Sequence, residues 1–170
     1  MWVIEVSMER RRNERVGETR DPRENPTTKG IVRHDSHMRK LGDTYTPANF
    51  RKALKWVSDQ YDQIPILITE NGWADSGGLN DTMRTRYLMN HFAYLLDAIH
   101  LDNVSVIGHT VWSLIDTWEW TDGYTYKFGL HQIDFNDPER KRVPKNSTVA
   151  YAKMIKNRKV PEEYLDEDNK

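Results

Sequence analysis

The sequence predicts an α/β protein in which helices alternate with parallel strands. Two short apolar runs have the composition expected for buried strands. Residues 64–69 are rich in Ile and Leu and are followed by Glu70 and then Asn-Gly, and residues 104–108 are rich in Val and Ile and end at Gly108. The first run has no polar alternation, which predicts a strand buried on both faces. Apolar residues around the runs recur every three or four positions, as on one face of a helix. The order helix, strand, helix, strand, helix is typical of βαβ units with neighbouring parallel strands.

Three helices are predicted in this pattern. The first begins after Thr46, whose side chain is expected to cap it, and has Pro47 in its first turn. The second begins near residue 80, and the third covers about residues 147–157. Residues 126–130 and 132–135 are expected to form a hairpin-like pair. The predicted buried faces are Phe50, Leu54, Val57 and Tyr61 in the first helix, and Tyr87, His91, Phe92, Leu95, Leu96 and Ile99 in the second.

Composition excludes some classes of partner and gives little information on location. The 170 residues carry a formal net charge of -1 and include no cysteine. A charge so close to zero gives no reason to expect binding to nucleic acid or to a membrane surface, and disulfide chemistry is excluded. No apolar stretch reaches the ~20 residues of a membrane-spanning helix. The first residues are not expected to form a signal peptide, because Glu5 interrupts their short apolar run.

Composition also divides the chain into three segments. Residues 1–44 are dense in charge and show no sustained apolar period, which predicts a segment that is disordered or loosely attached, or else non-homologous to known domains. Residues 45–161 contain the predicted helices and strands and form the α/β domain. Residues 162–170 are predicted to be an acidic tail.

Glu70 directly follows the first predicted strand. The carboxyl ends of parallel strands face the side of a sheet where loops and ligands gather. A carboxylate held there by a rigid strand suits the nucleophile of retaining glycoside hydrolysis, which uses two carboxyl groups ~5–5.5 Å apart. On the local sequence alone, the alternative is a strand-end acid that caps the next loop.

A cluster of tryptophans and acids follows the second predicted strand and should therefore lie at the same edge as Glu70. Indole rings pack on the apolar faces of sugars, and carboxylates bind sugar hydroxyls, so this composition favours a carbohydrate site around Glu119. The alternative is that the tryptophans belong to the core or support the rim of the sheet, as expected for Trp118. Four of the six tryptophans lie in the loops after the two strands: Trp73, Trp112, Trp118 and Trp120.

These motifs resemble those of glycoside hydrolase family 1, the β-glucosidase and myrosinase family. Residues 69–72 (Thr-Glu-Asn-Gly) resemble its nucleophile signature, and residues 112–124 resemble its glycone-binding loop. Residues 127–135 and 145–147 resemble its closing segments. The resemblance extends over residues 45–161, is greatest to animal and especially insect members, and implies the C-terminal portion, about the last two β/α units, of a (β/α)₈ barrel.

The resemblance also implies roles for individual residues. Glu70 corresponds to the nucleophile and Trp112 to the platform beneath the glycone. Glu119 corresponds to the residue that accepts hydrogen bonds from the sugar's 4- and 6-hydroxyls. Trp120 corresponds to a residue that donates a hydrogen bond from its indole N–H. Family members that act on 6-phosphorylated sugars have a small residue in place of that Glu, so Glu119 implies an unphosphorylated hexose. No metal and no cofactor is implied.

Several features depart from the family. Thr117 and Trp118 stand where many members have Asn and Phe. The acid/base Glu of the family lies in an Asn-Glu-Pro motif, which this sequence lacks; Asn13-Glu14 is followed by Arg15, and residues 24–26 have the reverse order. General acid help contributes ~10²–10⁴ in rate. We therefore predict that this chain alone does not hydrolyse aryl β-glucosides measurably.

The expected partner is a small-molecule β-glycoside. Bare edges on a pair of strands also predict self-association. The alternative to an enzyme is a truncated or splice product that acts, if at all, as an interaction protein or a weak sugar binder. Full-length animal members are often secreted, and Asn80, Asn103 and Asn146 lie in glycosylation sequons, but no segment of this chain predicts its location.

Overall fold

A computed structural model of the chain describes residues 45–167. The predictions made for residues 1–44, including those on Asn13-Glu14, lie outside the described residues. Within the described part, helices alternate with a parallel pair of strands, and a short antiparallel pair follows. The elements are α1 (Pro47–Gln60), β1 (Ile66–Asn71), α2 (Thr82–His100), β2 (Val106–Val111), β3 (His131–Ile133), β4 (Arg142–Pro144) and α3 (Asn146–Asn157), with turns of 3₁₀ helix at Trp120–Asp122 and Glu162–Tyr164.

The two predicted strands pair in parallel, which confirms the α/β class. Ile66 lies opposite Val106, and Asn71 lies opposite Val111 at the carboxyl ends. The prediction that β1 is buried on both faces is wrong. Ile66 and Ile68 on one face are fully buried, whereas Leu67 on the other face is half-buried. β1 also continues two residues past Thr69. Glu70 is therefore held within the strand rather than beyond it.

Helix α2 lies at the centre of the core, packed between α1 and α3. Its apolar residues recur at helical spacing, and Tyr87, Leu88 and Leu95 are buried as that pattern requires. Leu96, which was expected on the buried face, is 39% exposed. The core also includes Phe50, Leu54, Ile66, Ile68, Trp73, Met89, Phe92, Ala98, Val104, Val111, Leu130, Ala150, Met154 and Val160.

Two local predictions are wrong. Thr46 does precede α1, but its side chain makes no capping hydrogen bond. Residues 126–130 do not pair with 132–135; instead β3 pairs with β4, with Gln132 opposite Val143. The physical reason is that the backbone of residues 127–130 already bonds to other segments. Lys127 bridges to Asp75, and residues 128–131 bond to residues 113–116.

The chain beyond residue 161 contacts α2. The side chain of Asn90 donates to the carbonyl oxygen of Tyr164 at 3.1 Å and accepts from the amide of Asp166 at 2.9 Å. Arg86 pairs with the carboxylate of Asp166 at 2.5 Å. Residues 162–167, which composition alone separated as an acidic tail, therefore lie against the same body as residues 45–161.

Candidate active site

Glu70 and Trp112 lie at the same edge of the parallel strand pair. Asn71, the last residue of β1, accepts a hydrogen bond at its carbonyl oxygen from the amide of Trp112 at 2.9 Å. Trp112 directly follows β2, and its peptide bond to Ser113 is cis. The parallel arrangement thus brings together the two loops that the sequence singled out.

The side chains of Glu70 and Asn71 serve opposite faces of β1, because successive residues of a strand alternate. Asn71 is buried, and its amide nitrogen donates to the hydroxyl of Tyr87 on α2 at 3.4 Å. Burial raises the pKa of Tyr87 well above its usual value, so this hydroxyl stays protonated. Asn71 thereby holds the strand end against the helix layer, which leaves the half-buried Glu70 on the other face.

The loop that begins at Trp112 is fixed by backbone bonds. Four hydrogen bonds of 2.8–3.0 Å join residues 113–116 to residues 128–131. The hydroxyl of Ser113 also donates to the carbonyl oxygen of Ile115 at 2.7 Å. Since these bonds satisfy the main chain on both sides of Leu114, the segment is rigid up to the tryptophan-rich part of the loop.

Asp116 and Lys145 form a completely buried ion pair beneath this loop. Their side chains are both 0% exposed, and the Lys145 ammonium lies 2.8 Å from Oδ1 of Asp116. The same oxygen accepts a bond from the amide of Gly129 at 3.0 Å. Desolvating two charges is costly unless they are paired, so the pair fixes the loop only while both partners are present.

Glu119 is the buried carboxylate of the site, with 8% exposure. Burial is the main reason that its pKa is raised, and the nearby charges of Glu70 and Asp116 raise it further. Hydrogen bonding from the Trp112 side chain opposes the shift. Within residues 45–167, its Oε1 atom has no hydrogen-bond partner. The charge of Glu70 thus acts on the titration of Glu119. The Oε1 atom of Glu119 is available to accept a hydrogen bond from a ligand.

Two tryptophans flank Glu119 on the surface. Trp118 is 51% exposed and Trp120 is 67% exposed, and their ring centroids are 5.6 Å apart. Trp118 is therefore not a core residue. Its ring packs against that of Trp120 on the surface instead.

Sequence reasoning missed the buried ionic residues that support these loops, namely Lys145 and Arg84. Lys145 lies in a segment that the resemblance did include, but its partner is 29 positions away. Arg84 is placed three residues after Asp81 at the start of α2, and they pair at 2.6 Å. That spacing is the only local signal, and it is common on exposed helices as well.

No group of three or more His, Asp or Glu side chains is placed to hold a metal ion in the part of the chain that the structure describes. None of the described helices combines the length and the apolar character that crossing a bilayer requires. Among the described residues, the candidate site therefore consists of the carboxylates and tryptophans between residues 70 and 120, together with the buried ion pairs that hold their loops.

These features define an α/β protein that presents a carboxylate and an indole-rich loop at the carboxyl edge of a parallel strand pair. The chain belongs to glycosyl hydrolase family 1, whose family model matches residues 5–160. The matched range starts well before residue 45 and so includes most of the segment that composition had set apart.

Known proteins similar to the chain are named as myrosinases and β-glucosidases. Myrosinase 1 of Brevicoryne brassicae is 38% identical over 143 residues, covering 82% of this chain and 31% of that protein. Human cytosolic β-glucosidase is 45% identical over 108 residues, covering 62% of this chain and 23% of that protein. The solved structure of aphid myrosinase superposes with a TM-score of 0.67 at 38% identity, over 74% of this chain and 26% of that one. The chain thus spans less than a third of the length of these relatives.

Proposed function

We propose that this chain carries the nucleophile and part of the glycone-binding wall of a retaining β-glycosidase, and that it corresponds to about the last two β/α units of a (β/α)₈ barrel. The observation that carries the proposal is the contact of the two loops at the carboxyl edge of β1 and β2, where the amide of Trp112 donates to the carbonyl oxygen of Asn71, next to Glu70, at 2.9 Å. Glu119, in the second loop, is buried, and within residues 45–167 its Oε1 atom has no hydrogen-bond partner. Family membership supports the same chemistry.

The proposed roles are those that the resemblance to the family implies, and each suits the chemistry of its side chain. Glu70, on a strand held by the sheet and by Asn71, attacks the anomeric carbon of a β-glycoside. Glu119 accepts hydrogen bonds from hydroxyl groups of the glycone at its Oε1 atom, which has no partner among the described residues. Trp112 lies beneath the sugar ring, and the exposed Trp120 donates from its indole N–H. A second carboxylate in this position repels a sugar phosphate, so the proposed glycone is an unphosphorylated hexose.

The chain by itself is proposed to lack turnover. Retention requires a second carboxyl group that protonates the leaving group, and the sequence contains no Asn-Glu-Pro motif to supply it. A substrate whose leaving group needs no proton avoids this requirement. A 2-deoxy-2-fluoroglucosyl fluoride therefore separates attack by Glu70 from general acid catalysis.

The test is incubation of the chain with this reagent, followed by peptide mass spectrometry. We expect a 2-deoxy-2-fluoroglucosyl ester on Glu70 in the native sequence. It should be absent in Glu70→Gln and retained in Glu139→Gln, which changes an exposed acid elsewhere. A chain that stays unlabelled, or label that persists in Glu70→Gln, overturns the proposal. Steady hydrolysis of p-nitrophenyl β-glucoside would contradict the proposed lack of turnover.

A second candidate function, self-association through strand edges, is favoured by one observation. Within residues 45–167, β1 and β2 pair only with each other, and Ile107 on β2 is 68% exposed. Such edges pair with further strands unless charge prevents it. Light scattering after size exclusion should show dimers or larger species that Ile107→Lys reduces and Val149→Lys, on α3, does not. A monomer across the micromolar range overturns this candidate.

A further inference from the structure

Arg84 is a buried cation that the proposed chemistry does not use. Its side chain is 0% exposed, on the first turn of α2. A buried guanidinium is costly unless ionic partners and hydrogen-bond acceptors surround it. Its partners therefore indicate what this charge holds in place.

The guanidinium contacts four acceptors. Nη1 donates to the carboxylate of Asp81 at 2.6 Å, and Nη2 lies 2.6 Å from the carboxylate of Asp75. Nε donates to the carbonyl oxygen of Trp73 at 3.1 Å, and Nη2 donates to that of Lys127 at 2.5 Å. Two of the acceptors are thus side chains, and two are main-chain groups in loops.

The two loops are those of the proposed site. Trp73 and Asp75 belong to the turn that follows Glu70, and Lys127 lies between the tryptophan-rich segment and Gly129. Asp75 and Lys127 are also joined by a pair of backbone hydrogen bonds, 3.0 and 2.9 Å long. Arg84 closes this junction from the side of α2.

The junction is anchored to the helix layer through Asp81. Its Oδ1 accepts from the amide of Ser147 at 2.8 Å, and its Oδ2 accepts from the Ser147 hydroxyl at 2.5 Å. Ser147 lies in the first turn of α3. Arg84 and Asp81 therefore connect the starts of two helices to both loops.

Arg51 provides a comparison within the same chain. It pairs with Asp97 at 3.2 Å and with Asp102 at 2.7 Å, so it also binds two carboxylates. Its side chain is 28% exposed, and it joins α1 to the end of α2 without contacting either loop. Removal of Arg51 should therefore affect stability without moving the site.

We propose that Arg84 is a positioning residue that holds the loop after Glu70 in register with the loop that carries Glu119. This inference rests on the proposed function for its catalytic meaning, although the junction itself is independent of it. The planar fork of arginine serves several acceptors at fixed angles, whereas a lysine ammonium on a flexible stem does not reproduce that geometry. Arg84→Lys keeps the charge and removes the fork.

The first arm of the test is hydrogen–deuterium exchange of the whole chain, read by peptide. Loss of hydrogen bonds from a charged donor should speed exchange about tenfold or more in residues 72–77 and 125–129 of Arg84→Lys. Asp75→Asn, a milder change at the same junction, should affect the same peptides less. Arg51→Lys should speed exchange in α1 and at the end of α2 instead. Unchanged exchange in residues 72–77, or a uniform rise over the chain, overturns the proposal.

The second arm measures the labelling of Glu70 by 2-deoxy-2-fluoroglucosyl fluoride. The first-order rate at saturating reagent is expected to fall at least about tenfold in Arg84→Lys and to stay unchanged in Arg51→Lys. The rate is compared at a temperature at which circular dichroism shows each variant to be fully folded, so that partial unfolding does not lower it. An unchanged rate in Arg84→Lys overturns the positioning role.

The two arms separate the failure of this inference from that of the proposed function. A native chain that never becomes labelled counts against the proposed function, and the exchange arm still decides whether Arg84 holds the loops together. A labelled native chain with unaltered exchange in Arg84→Lys counts against Arg84 alone.

Discussion

A Cβ atom added to Gly72 would lie 1.6 Å from the carbonyl oxygen of Trp112. The turn after Glu70 and the start of the tryptophan-rich loop are therefore in direct backbone contact. The φ angle of Gly72 is outside the left-handed region, so space rather than backbone freedom requires glycine here. The glycine of the Thr-Glu-Asn-Gly motif is what allows the two loops to meet.

Gly72→Ala is expected to lower the free energy of unfolding by about 3 kcal/mol or more, because the contacted atom is main chain and cannot swing away. Gly78→Ala is the matched control. Gly78 has a φ of +100° and no atom within 4 Å of an added Cβ, so only backbone strain of about 1–3 kcal/mol opposes it. Urea unfolding of both variants measures the difference, and equal costs would contradict the steric explanation.

Lys145→Met is expected to destabilise the chain by about 3–5 kcal/mol, because it leaves the carboxylate of Asp116 buried without its cation. The double change Lys145→Met with Asp116→Asn removes both charges and should recover part of that loss. Lys153→Met, which breaks an exposed pair with Glu163, should cost at most about 1 kcal/mol. Denaturant midpoints measure all three, and a double variant no more stable than Lys145→Met would count against the charge argument.

Stability is expected to fall on acidification below pH 6.5. Burial lowers the pKa of His91 to about 3 and that of His109 to about 4. The unfolded chain therefore binds protons at a higher pH than the folded chain, and stability present above pH 6.5 is lost as the pH falls toward 3–4. The expected loss is about 2 kcal/mol per histidine at pH 5. Thermal melts between pH 7 and 5 measure it, and a profile that His91→Phe leaves equally steep would contradict the assignment.

Trp120→Phe is expected to raise the half-saturating concentration of 2-deoxy-2-fluoroglucosyl fluoride by about 3–10-fold, because phenylalanine keeps the ring and removes one donor. Trp118→Phe is the matched control, since it makes the same change on the other exposed indole beside Glu119. The concentration dependence of labelling distinguishes them. The prediction fails if both variants respond alike.

The strand that carries Glu70 and the helices on either side could be predicted from local patterns. An apolar run that stops at Asn-Gly, and apolar residues at helical spacing, depend on neighbours a few positions away. The backbone of Trp112 meets the end of the first strand, because parallel strands bring their carboxyl ends to one edge; the roles of Trp112 and Glu119 in binding a sugar stay predictions. These residues were recognisable since their motifs are short and continuous.

The supports of the site depended on residues far apart in the chain. Asp116 pairs with Lys145 across 29 positions, and Asp81 bonds to Ser147 across 66. Nothing in the sequence next to these two acids shows that Asp116 will meet Lys145 or that Asp81 will meet Ser147. For the same reason the pairing of β3 with β4 was mispredicted.

The sequence by itself determined the order of helices and strands, the family and the acid at the end of the first strand, because each of these depends on a short, continuous stretch of residues. Only the tertiary structure decided that Trp118 faces solvent, that Gly72 must admit the Trp112 carbonyl, and that Arg84 joins the two loops. Those outcomes depend on which surfaces pack together, and close packing and charge pairing are properties of the folded chain rather than of any segment.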